Sequence, residues 1–225
     1  MNEYLKVDPA IHSLQEISDA LINRRFSSVD LTEYTISQKE SHTYANAYKC
    51  WDPKTGLAAA KEADNIYESG RESAPLQGIP VSVKDIFGHP DFPIFAGSFG
   101  ELPSKWRRAG PIVQSLRKQS GVFLGKTHTV EFAYGGLGVN SHWGTPRNPW
   151  SPDAYRVPGG SSSGAGISIC QGTAFLALGT DTEGSVRIPA SCTGVVGLKT
   201  SFGLWSTEGI IPLSRQRQTL SLIHI

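Results

Sequence analysis

The stretch of sequence that decides the fold is VPGGSSSGAGISICQGTAFLALGTDTEGSVRIPASCTGVVGLKTSFG, which spans residues 157–203. It contains a serine-rich glycine loop, a run of small residues and a second loop that presents one more serine. Glycine loses more backbone entropy on ordering than any other residue, so this composition disfavours helix and strand interiors. Such loops can direct backbone N–H groups and hydroxyls at one point, as acyl transfer requires. The alternative, a flexible Gly/Ser linker, does not explain the apolar runs AFLALG and VRIPASCTGVVGLK within the stretch.

Four blocks of the chain closely resemble the amidase signature family, whose members cleave carboxamides with a Ser–cis-Ser–Lys triad. The blocks are GIPVSVKDIF (78–87), GKTHTVEFAYGGLGVNSHWGTPRNPW (125–150), PGGSSSGAG (158–166) and GTDTEGSVRIPAS (179–191). The order and spacing also agree with the family, because Lys84 precedes Ser161 by 77 residues and Ser161 precedes Ser185 by 24. The resemblance covers most of the chain and implies an enzyme that hydrolyses a small carboxamide.

The resemblance also implies a role for each site residue. Ser185 is the nucleophile, and Ser161 passes its proton to Lys84, with a cis peptide bond between Gly160 and Ser161. Four backbone N–H groups form the oxyanion hole, those of Thr182, Glu183, Gly184 and Ser185. Four further polar residues support the site: Ser163, Thr180, Asp181 and Arg187. Each of the first three serves equally well as a turn or cap residue, and Arg187 as the partner of a surface carboxylate.

The residues themselves favour a lysine as the base. A serine hydroxyl is a weak nucleophile without a neighbouring base, and no histidine lies near these loops in sequence. Lys84 lies in the apolar segment IPVSVKDIF, so burial is expected to lower its pKa and supply a neutral amine. The alternative is a charged Lys84 that forms a salt bridge with Asp85. Because adjacent residues on a strand point to opposite faces, the base is favoured.

Glu183 departs from the family pattern, which usually has glycine or another small residue at this position. A glutamate keeps its backbone N–H in place only where φ is negative, since positive φ disfavours residues with a Cβ. Its carboxylate opposes a developing oxyanion unless the side chain points away. The departure affects the expected rate and substrate preference more than the fold.

Competing motifs are weak. Gly160–Gly164 matches the G-x-S-x-G pattern with Ser162 as nucleophile, but that mechanism needs a later histidine, and His224 alone follows. The segment SGVFLGKT (120–127) nearly matches a phosphate-binding loop, but serine replaces its first glycine. No H-E-x-x-H or C-x-x-C motif occurs, so neither a metal nor a cofactor is expected. The three cysteines, Cys50, Cys170 and Cys192, indicate buried thiols in a reducing compartment.

Composition fits an enzyme that binds neither nucleic acid nor membrane. The chain has 225 residues, is 39% hydrophobic and carries a net charge of +1, which disfavours disorder and a nucleic-acid surface. The start, MNEYLKVDPAIHSLQEI, lacks the features of a signal peptide, and no run of 18 apolar residues occurs. The expected location is therefore the cytoplasm. The expected partner is a small-molecule amide, with a homodimer also compatible with the sequence.

Helical and strand patterns alternate along the chain. Helices are expected at 13–25, 27–41, 53–70, 109–121 and 161–178, the first with a capping box from Ser13 and Glu16. Strands are expected at 45–51, 79–86 and 122–127. This alternation predicts an α/β fold with a mixed β-sheet flanked by helices, and the glycines after strands predict a site at the loop edge of the sheet.

The end of the sequence differs from the rest. Residues 1–219 are expected to form one amidase signature domain that is incomplete at its C-terminus, and 220–225 a non-native tail. The hexapeptide LSLIHI resembles translated adaptor DNA from sequencing libraries, and an ordinary apolar strand is the alternative. Two further functions therefore stay open: the glutaminase-type A subunit of an amidotransferase, which needs partner subunits, and an inactive truncated fragment.

Overall fold

The computed structural model of the chain describes residues 13–71, 73–150, 153–214 and 218–224. Outside these ranges lie residues 1–12, which are most of the start assessed for a signal peptide. Arg215 and the final residue of the predicted tail also lie outside them. Six α-helices occur in the described part of the chain: α1 (Leu14–Ile22), α2 (Ser28–Ser41), α3 (Pro53–Glu68), α4 (Pro111–Lys118), α5 (Ser163–Cys170) and α6 (Arg187–Thr193). Six strands accompany them: β1 (Tyr48–Trp51), β2 (Pro80–Lys84), β3 (Val122–Thr127), β4 (Leu176–Asp181), β5 (Val196–Lys199) and β6 (Thr219–His224).

The strands form one mixed sheet in the order β1-β3-β2-β4-β6-β5. The central strand β2 runs parallel to both β3 and β4, and β1, β6 and β5 pair antiparallel with their neighbours. Every residue of β2, β3 and β4 is buried, as expected for parallel strands covered on both faces. The predicted α/β class with a mixed sheet and flanking helices is confirmed.

Local signals explain where the helices begin. The Ser13–Glu16 capping box opens α1 as predicted, and Ser27 forms a second box with Asp30 at the start of α2. The Asp52 side chain accepts from backbone N–H groups at the start of α3, which has a proline in its first turn. These helix starts lie close to the predicted ones, because capping depends on residues that are near in sequence.

The single helix predicted for 161–178 is wrong. Helix α5 ends at Cys170, Gly172 has a φ of +71°, and the apolar run that follows forms the buried strand β4. Glycine readily adopts this left-handed conformation, and β4 then pairs with β2 from Val81↔Leu176 onward. Small residues allow α5 to approach its neighbours closely, since a Cβ at Gly164 would overlap the backbone carbonyl of Ala47.

Helix α5 is the element that brings the serine loop to the sheet. It contacts β2, β3, β4 and β6, and its buried Ala165 and Ile169 pack with Ala177 of β4 and Ile223 of β6. The loop before α5 therefore lies beside the carboxyl ends of β2 and β4, where Lys84 and Asp181 are located. This packing brings the serine loop to the loop edge of the sheet, where the sequence predicts the site.

Residues Thr219–His224 form β6, which lies between β4 and β5 and pairs with both. The apolar strand that the sequence left as an alternative for the tail is therefore what the structure contains, while a non-native origin of 220–225 stays a prediction. Within the described ranges, no helix combines the length and apolar character that crossing a bilayer would take.

Candidate active site

Lys84 lies at the end of β2 and is fully buried. Its Nζ atom is 2.7 Å from Ser161 Oγ and 3.1 Å from Thr180 Oγ1. Burial disfavours the ammonium form and lowers the pKa of Lys84 to about 7, while the negative charge of Asp181 acts in the opposite direction. Near neutral pH a substantial fraction of Lys84 is therefore the neutral amine, beside the Ser161 hydroxyl.

Ser161 is held in a tightly packed loop. The Gly160–Ser161 peptide bond is cis, as the family resemblance implied. The carbonyl oxygen of Ser161 accepts hydrogen bonds from the backbone N–H groups of Val130 and Ser163. An added Cβ at Gly160 would lie 2.6 Å from the backbone nitrogen of Gly138, so this position requires glycine. The surrounding backbone thus fixes the direction in which the Ser161 hydroxyl points.

Ser185 lies in the turn between β4 and α6 and is half-buried. Its carbonyl oxygen accepts from the Ser162 N–H at 3.2 Å, which joins this turn to the serine loop. Among the described residues, no hydrogen-bond partner is found for the Ser185 hydroxyl, including that of Ser161. The structure therefore places the predicted nucleophile beside the serine loop and at the lining of a cleft.

Asp181 organises the turn that carries Ser185. One carboxylate oxygen accepts from the Gly184 amide at 2.8 Å, and the other accepts from the Val186 and Arg187 amides at 3.2 and 3.3 Å. The Arg187 guanidinium adds two bonds to the same carboxylate, of 3.0 and 2.9 Å. Burial opposes ionisation, but these hydrogen bonds outweigh it and hold the pKa of Asp181 below its ordinary value.

The predicted oxyanion donors are not equivalent. The Gly184 amide donates to Asp181 at 2.8 Å, so it is already engaged in this structure, and its role as an oxyanion donor stays a prediction. Thr182, Glu183 and Ser185 line the cleft. Glu183 is absent from the described non-glycine residues with positive φ, whereas Gly184 has a φ of +117°. The backbone of the turn thus accommodates a glutamate at position 183, and the position with positive φ is occupied by a glycine.

The cleft next to Ser185 has a volume of about 660 Å³. Its lining includes the segment Ala133–Gly136, together with Ile188, Leu213 and Ser214. None of the segment Ala133–Gly136, Ile188, Leu213 or Ser214 was predicted from the sequence to line a site. The three glycines of AYGGLG were an available signal for an irregular loop, and in the structure Gly135, Gly138 and Ala133 have positive φ.

Several alternatives are wrong in the structure. Asp85 forms a buried ion pair with Lys126 at 2.8 Å, so it is not the partner of Lys84. Burial raises the pKa of Asp85 and lowers that of Lys126, while their mutual attraction opposes both shifts. Ser162 is fully buried, which excludes it as an exposed nucleophile. The near-match to a phosphate-binding loop is largely strand β3.

The remaining predicted residues have different surroundings. Thr180 contacts Lys84 and Arg187 contacts Asp181. The Ser163 hydroxyl is buried and has no hydrogen-bond partner among the described residues. Cys50, Cys170 and Cys192 are free and partly buried. Burial raises the pKa of Cys50 and of Cys170 to about 11, so neither is a reactive thiolate at neutral pH. In the described part of the chain, no three His, Cys, Asp or Glu side chains are grouped as metal ligands.

Comparison with known proteins identifies relatives that match most of the chain. A family model described as Amidase matches residues 30–223. The chain is 54% identical over 213 residues to the 2-amino-5-chloromuconic acid deaminase of Comamonas testosteroni, and the match covers 94% of the chain and 46% of that protein. It is 40% identical over 204 residues to the A subunit of the glutamyl-tRNA(Gln) amidotransferase of Cupriavidus taiwanensis, covering 90% of the chain and 40% of the relative. The chain therefore spans less than half the length of these curated relatives.

Solved structures share this architecture. The native peptide amidase of Stenotrophomonas maltophilia superimposes with a TM-score of 0.87 at 30% identity, covering 96% of the chain and 45% of that structure. An amidase family protein of Bacillus anthracis str. Ames gives a TM-score of 0.86 at 28% identity, covering 100% of the chain and 46% of that structure. The similarity extends over the sheet, its flanking helices and the loops described above.

Proposed function

The chain belongs to the amidase family, and we propose that the protein carrying it hydrolyses a carboxamide C–N bond through an acyl-enzyme on Ser185. The observation that carries the proposal is the buried pair of Lys84 and Ser161, whose Nζ and Oγ atoms are 2.7 Å apart. With its pKa near 7, this lysine is matched to proton transfer at neutral pH.

In acylation, Ser185 Oγ attacks the carbonyl carbon and forms the new C–O bond. The Ser185 proton moves to Ser161 Oγ as the Ser161 proton moves to Lys84 Nζ, which becomes an ammonium. The developing oxyanion is stabilised by backbone N–H groups of the turn between β4 and α6, among which the Ser185 amide has no described acceptor. One such donor contributes about 3–4 kcal/mol to transition-state stabilisation.

Collapse of the tetrahedral intermediate breaks the C–N bond. The Lys84 ammonium returns a proton through Ser161 to the leaving nitrogen, so ammonia or an amine departs as a neutral molecule. Water then attacks the acyl-enzyme, with Ser161 and the neutral Lys84 removing its proton, and the carboxylic acid is released. Each proton that the relay accepts is returned within one cycle, so no co-reactant besides water is needed.

The test is ammonia release from a series of linear primary carboxamides by the protein carrying this sequence. We expect turnover that follows the fraction of neutral Lys84 and is lost in Ser185→Ala. Turnover that survives in Ser185→Ala would contradict the proposed nucleophile. A serine-directed fluorophosphonate provides an independent readout, since it should label the wild type at Ser185 alone.

A second candidate is supported by the 54% identity to a 2-amino-5-chloromuconic acid deaminase. In this alternative the bond that is broken is the C–N bond of an amino-substituted unsaturated acid, and ammonia is again the product. Comparing ammonia release from 2-amino-5-chloromuconic acid with release from the carboxamide series separates the two. If 2-amino-5-chloromuconic acid is turned over faster than the carboxamides, the substrate class is the amino-substituted unsaturated acid and not the carboxamide.

A third candidate is the glutaminase-type component of an amidotransferase, supported by the 40% identity to such a protein. This function requires partner subunits that accept the ammonia released from glutamine. Glutaminase activity that appears only when the partner subunits are present would favour it. Carboxamide hydrolysis by the isolated protein would favour the first proposal.

A further inference from the structure

A buried ion pair that the proposed reaction does not use lies next to Lys84 in the chain. Asp85 Oδ1 is 2.8 Å from Lys126 Nζ, and neither side chain has exposed surface. Both charges lose hydration on burial, and apolar side chains of similar volume often give a fold of equal or greater stability. Stability alone therefore does not account for the presence of this pair.

The Asp85 carboxylate and its partner both bind the backbone of the loop 93–97. The carboxylate accepts from the Phe95 amide at 3.2 Å and from the Gly97 amide at 3.5 Å. The amino group of its partner donates to the Pro93 carbonyl oxygen at 3.2 Å. The ion pair is thus bonded to both ends of this short loop.

The middle of the same loop is bonded to the cleft lining. Ala96 has a φ of +52°, which is uncommon for a residue other than glycine and persists only where the surroundings hold it. Its amide donates to the Asp85 carbonyl oxygen at 3.0 Å, and its carbonyl oxygen accepts from the Phe132 amide at 2.7 Å. Phe132 directly precedes residues 133–136, which line the cleft next to Ser185. Consecutive hydrogen bonds therefore connect the ion pair to the cleft.

Asn140 forms a second link between this loop and the cleft lining. Its Nδ2 atom donates to the Gly97 carbonyl oxygen at 2.8 Å and to the Thr129 carbonyl oxygen at 3.1 Å. An added Cβ at Gly97 would lie 2.7 Å from the same Thr129 oxygen, so the two backbones are in close contact. The next residue, Val130, donates its amide to the Ser161 carbonyl oxygen at 3.1 Å. The segment that the loop holds thus leads to the cleft lining and also contacts the serine loop.

From these contacts, we propose that Asp85 and Lys126 are positioning residues for the proposed amide hydrolysis. The pair fixes the loop 93–97, and the loop fixes residues 133–136, against which the substrate binds. The inference rests on the proposed function and adds two residues that act on the substrate only through this loop. An asparagine cannot replace the carboxylate, because it offers one oxygen where two accept, Oδ1 from the lysine and Oδ2 from a loop amide.

The test is the double variant Asp85→Asn/Lys126→Met, which removes both charges and keeps most of the side-chain volume. We expect KM for a small carboxamide to rise roughly 10-fold or more with little change in kcat, because the cleft lining contacts the substrate in the ground state and the transition state alike. The rise in turnover with pH should stay where it is in the wild type, since burial of Lys84 itself lowers its pKa. An unchanged KM, or a loss confined to kcat, would overturn the inference.

Tyr48→Phe is the matched control for the loss of a buried polar contact. The Tyr48 hydroxyl donates to the Thr173 carbonyl oxygen at 3.0 Å, outside the contacts that connect the ion pair to the cleft. The control should therefore lose stability without a change in KM. A similar rise of KM in Tyr48→Phe would show that lost stability, and not the loop, is the cause, and would overturn the inference.

Asn140→Asp tests the second link and leaves the ion pair intact. It keeps the oxygen that accepts from the amides of His142 and Trp143, but it loses the donor to the carbonyl oxygens of Gly97 and Thr129. We expect KM to rise here as in the double variant, with circular dichroism unchanged. A wild-type KM in Asn140→Asp would show that the loop does not control the cleft lining, which would overturn the inference.

Hydrogen exchange separates this inference from the proposed function. The Phe132 amide donates to the Ala96 carbonyl oxygen, so its exchange rate reports on the contact between the loop and the cleft lining. Relative to the amides of β4, which report on global unfolding, it should exchange about 10-fold faster or more in the double variant and at the wild-type rate in Tyr48→Phe. Such a result would support the inference even if the wild type hydrolysed no amide, and unchanged exchange would overturn it even if hydrolysis were rapid.

Discussion

Lys84 Nζ lies 2.7 Å from Ser161 Oγ, although 77 residues separate the two in the chain. Strand β2 fixes the lysine and the loop before α5 fixes the serine, so packing of α5 on the sheet determines the distance. Burial of the same pair lowers the pKa of Lys84 to about 7. The contact thus joins the proposed base to the proposed proton carrier.

Ser185→Ala should abolish amide turnover, with a loss on the order of 10⁴-fold or more, because the acyl-enzyme can no longer form. The fold should stay intact, since the half-buried hydroxyl makes no hydrogen bond with a described residue. Steady-state kinetics and circular dichroism check both statements. Fluorophosphonate labelling that persists at another serine would identify a different nucleophile.

Lys84→Ala should lower amide hydrolysis more than ester hydrolysis. A lysine that takes the serine proton also returns it to the leaving nitrogen, whereas an alkoxide leaving group needs less of this help. Paired ester and amide substrates with the same acyl group provide the measurement. Equal losses on the two substrates would exclude the general-acid role.

Amide turnover should rise with pH through about 7 and then level off. Below the Lys84 pKa of about 7 the ammonium predominates and cannot accept a proton, and above it the neutral amine does. Asp181→Asn should move this rise in turnover to lower pH, because Asp181 raises the pKa of Lys84. If the rise in the pH–rate profile stays at the same pH in Asp181→Asn, another group controls the rate.

Lys84 should also make folding stability depend on pH. Its folded pKa is about 7 against an ordinary value of 10.5, so between these values the unfolded chain binds the extra proton. The destabilisation is complete below pH 7 and is relieved as the pH rises toward 10.5. Urea unfolding of wild type and Lys84→Met across this range measures it, and a constant difference between the two would contradict the lowered pKa.

Lys126→Met should destabilise the fold by about 3–5 kcal/mol, because it leaves Asp85 buried without its partner. The double variant Asp85→Asn/Lys126→Met should recover much of this loss, since both charges are then removed. Chemical denaturation of the two variants gives the comparison. A double variant no more stable than the single one would show that the ion pair is not the source of the loss.

The sequence predicted the parts of the fold that depend on neighbouring residues. The capping box of Ser13 and Glu16 and the apolar segment around Lys84 both have the expected structure. The segment 161–178 was predicted wrongly, because its small residues are compatible with a helix throughout. Pairing with β2 turns the second part into strand β4, and this pairing depends on residues about 95 positions away in the chain.

The candidate site was also predicted only in part from the sequence. Lys84, Ser161 and Ser185 could be named from motif order, but the engagement of the Gly184 amide by Asp181 could not. That contact depends on the exact turn formed between β4 and α6. The lining segment Ala133–Gly136 was also missed, because its position at the cleft follows from its packing on the serine loop.

The sequence by itself determined the family, the buried character of the central strands and the residue types available for acyl transfer. These properties depend on the order of the motifs and on apolar patterns among residues that are near in sequence. Only the tertiary structure decided which carboxylate pairs with which lysine, so that Asp85 binds Lys126 and leaves Lys84 to Ser161. The physical reason is that desolvation and hydrogen-bond geometry are set by groups remote in sequence, which come within a few ångströms only when the sheet and α5 pack together.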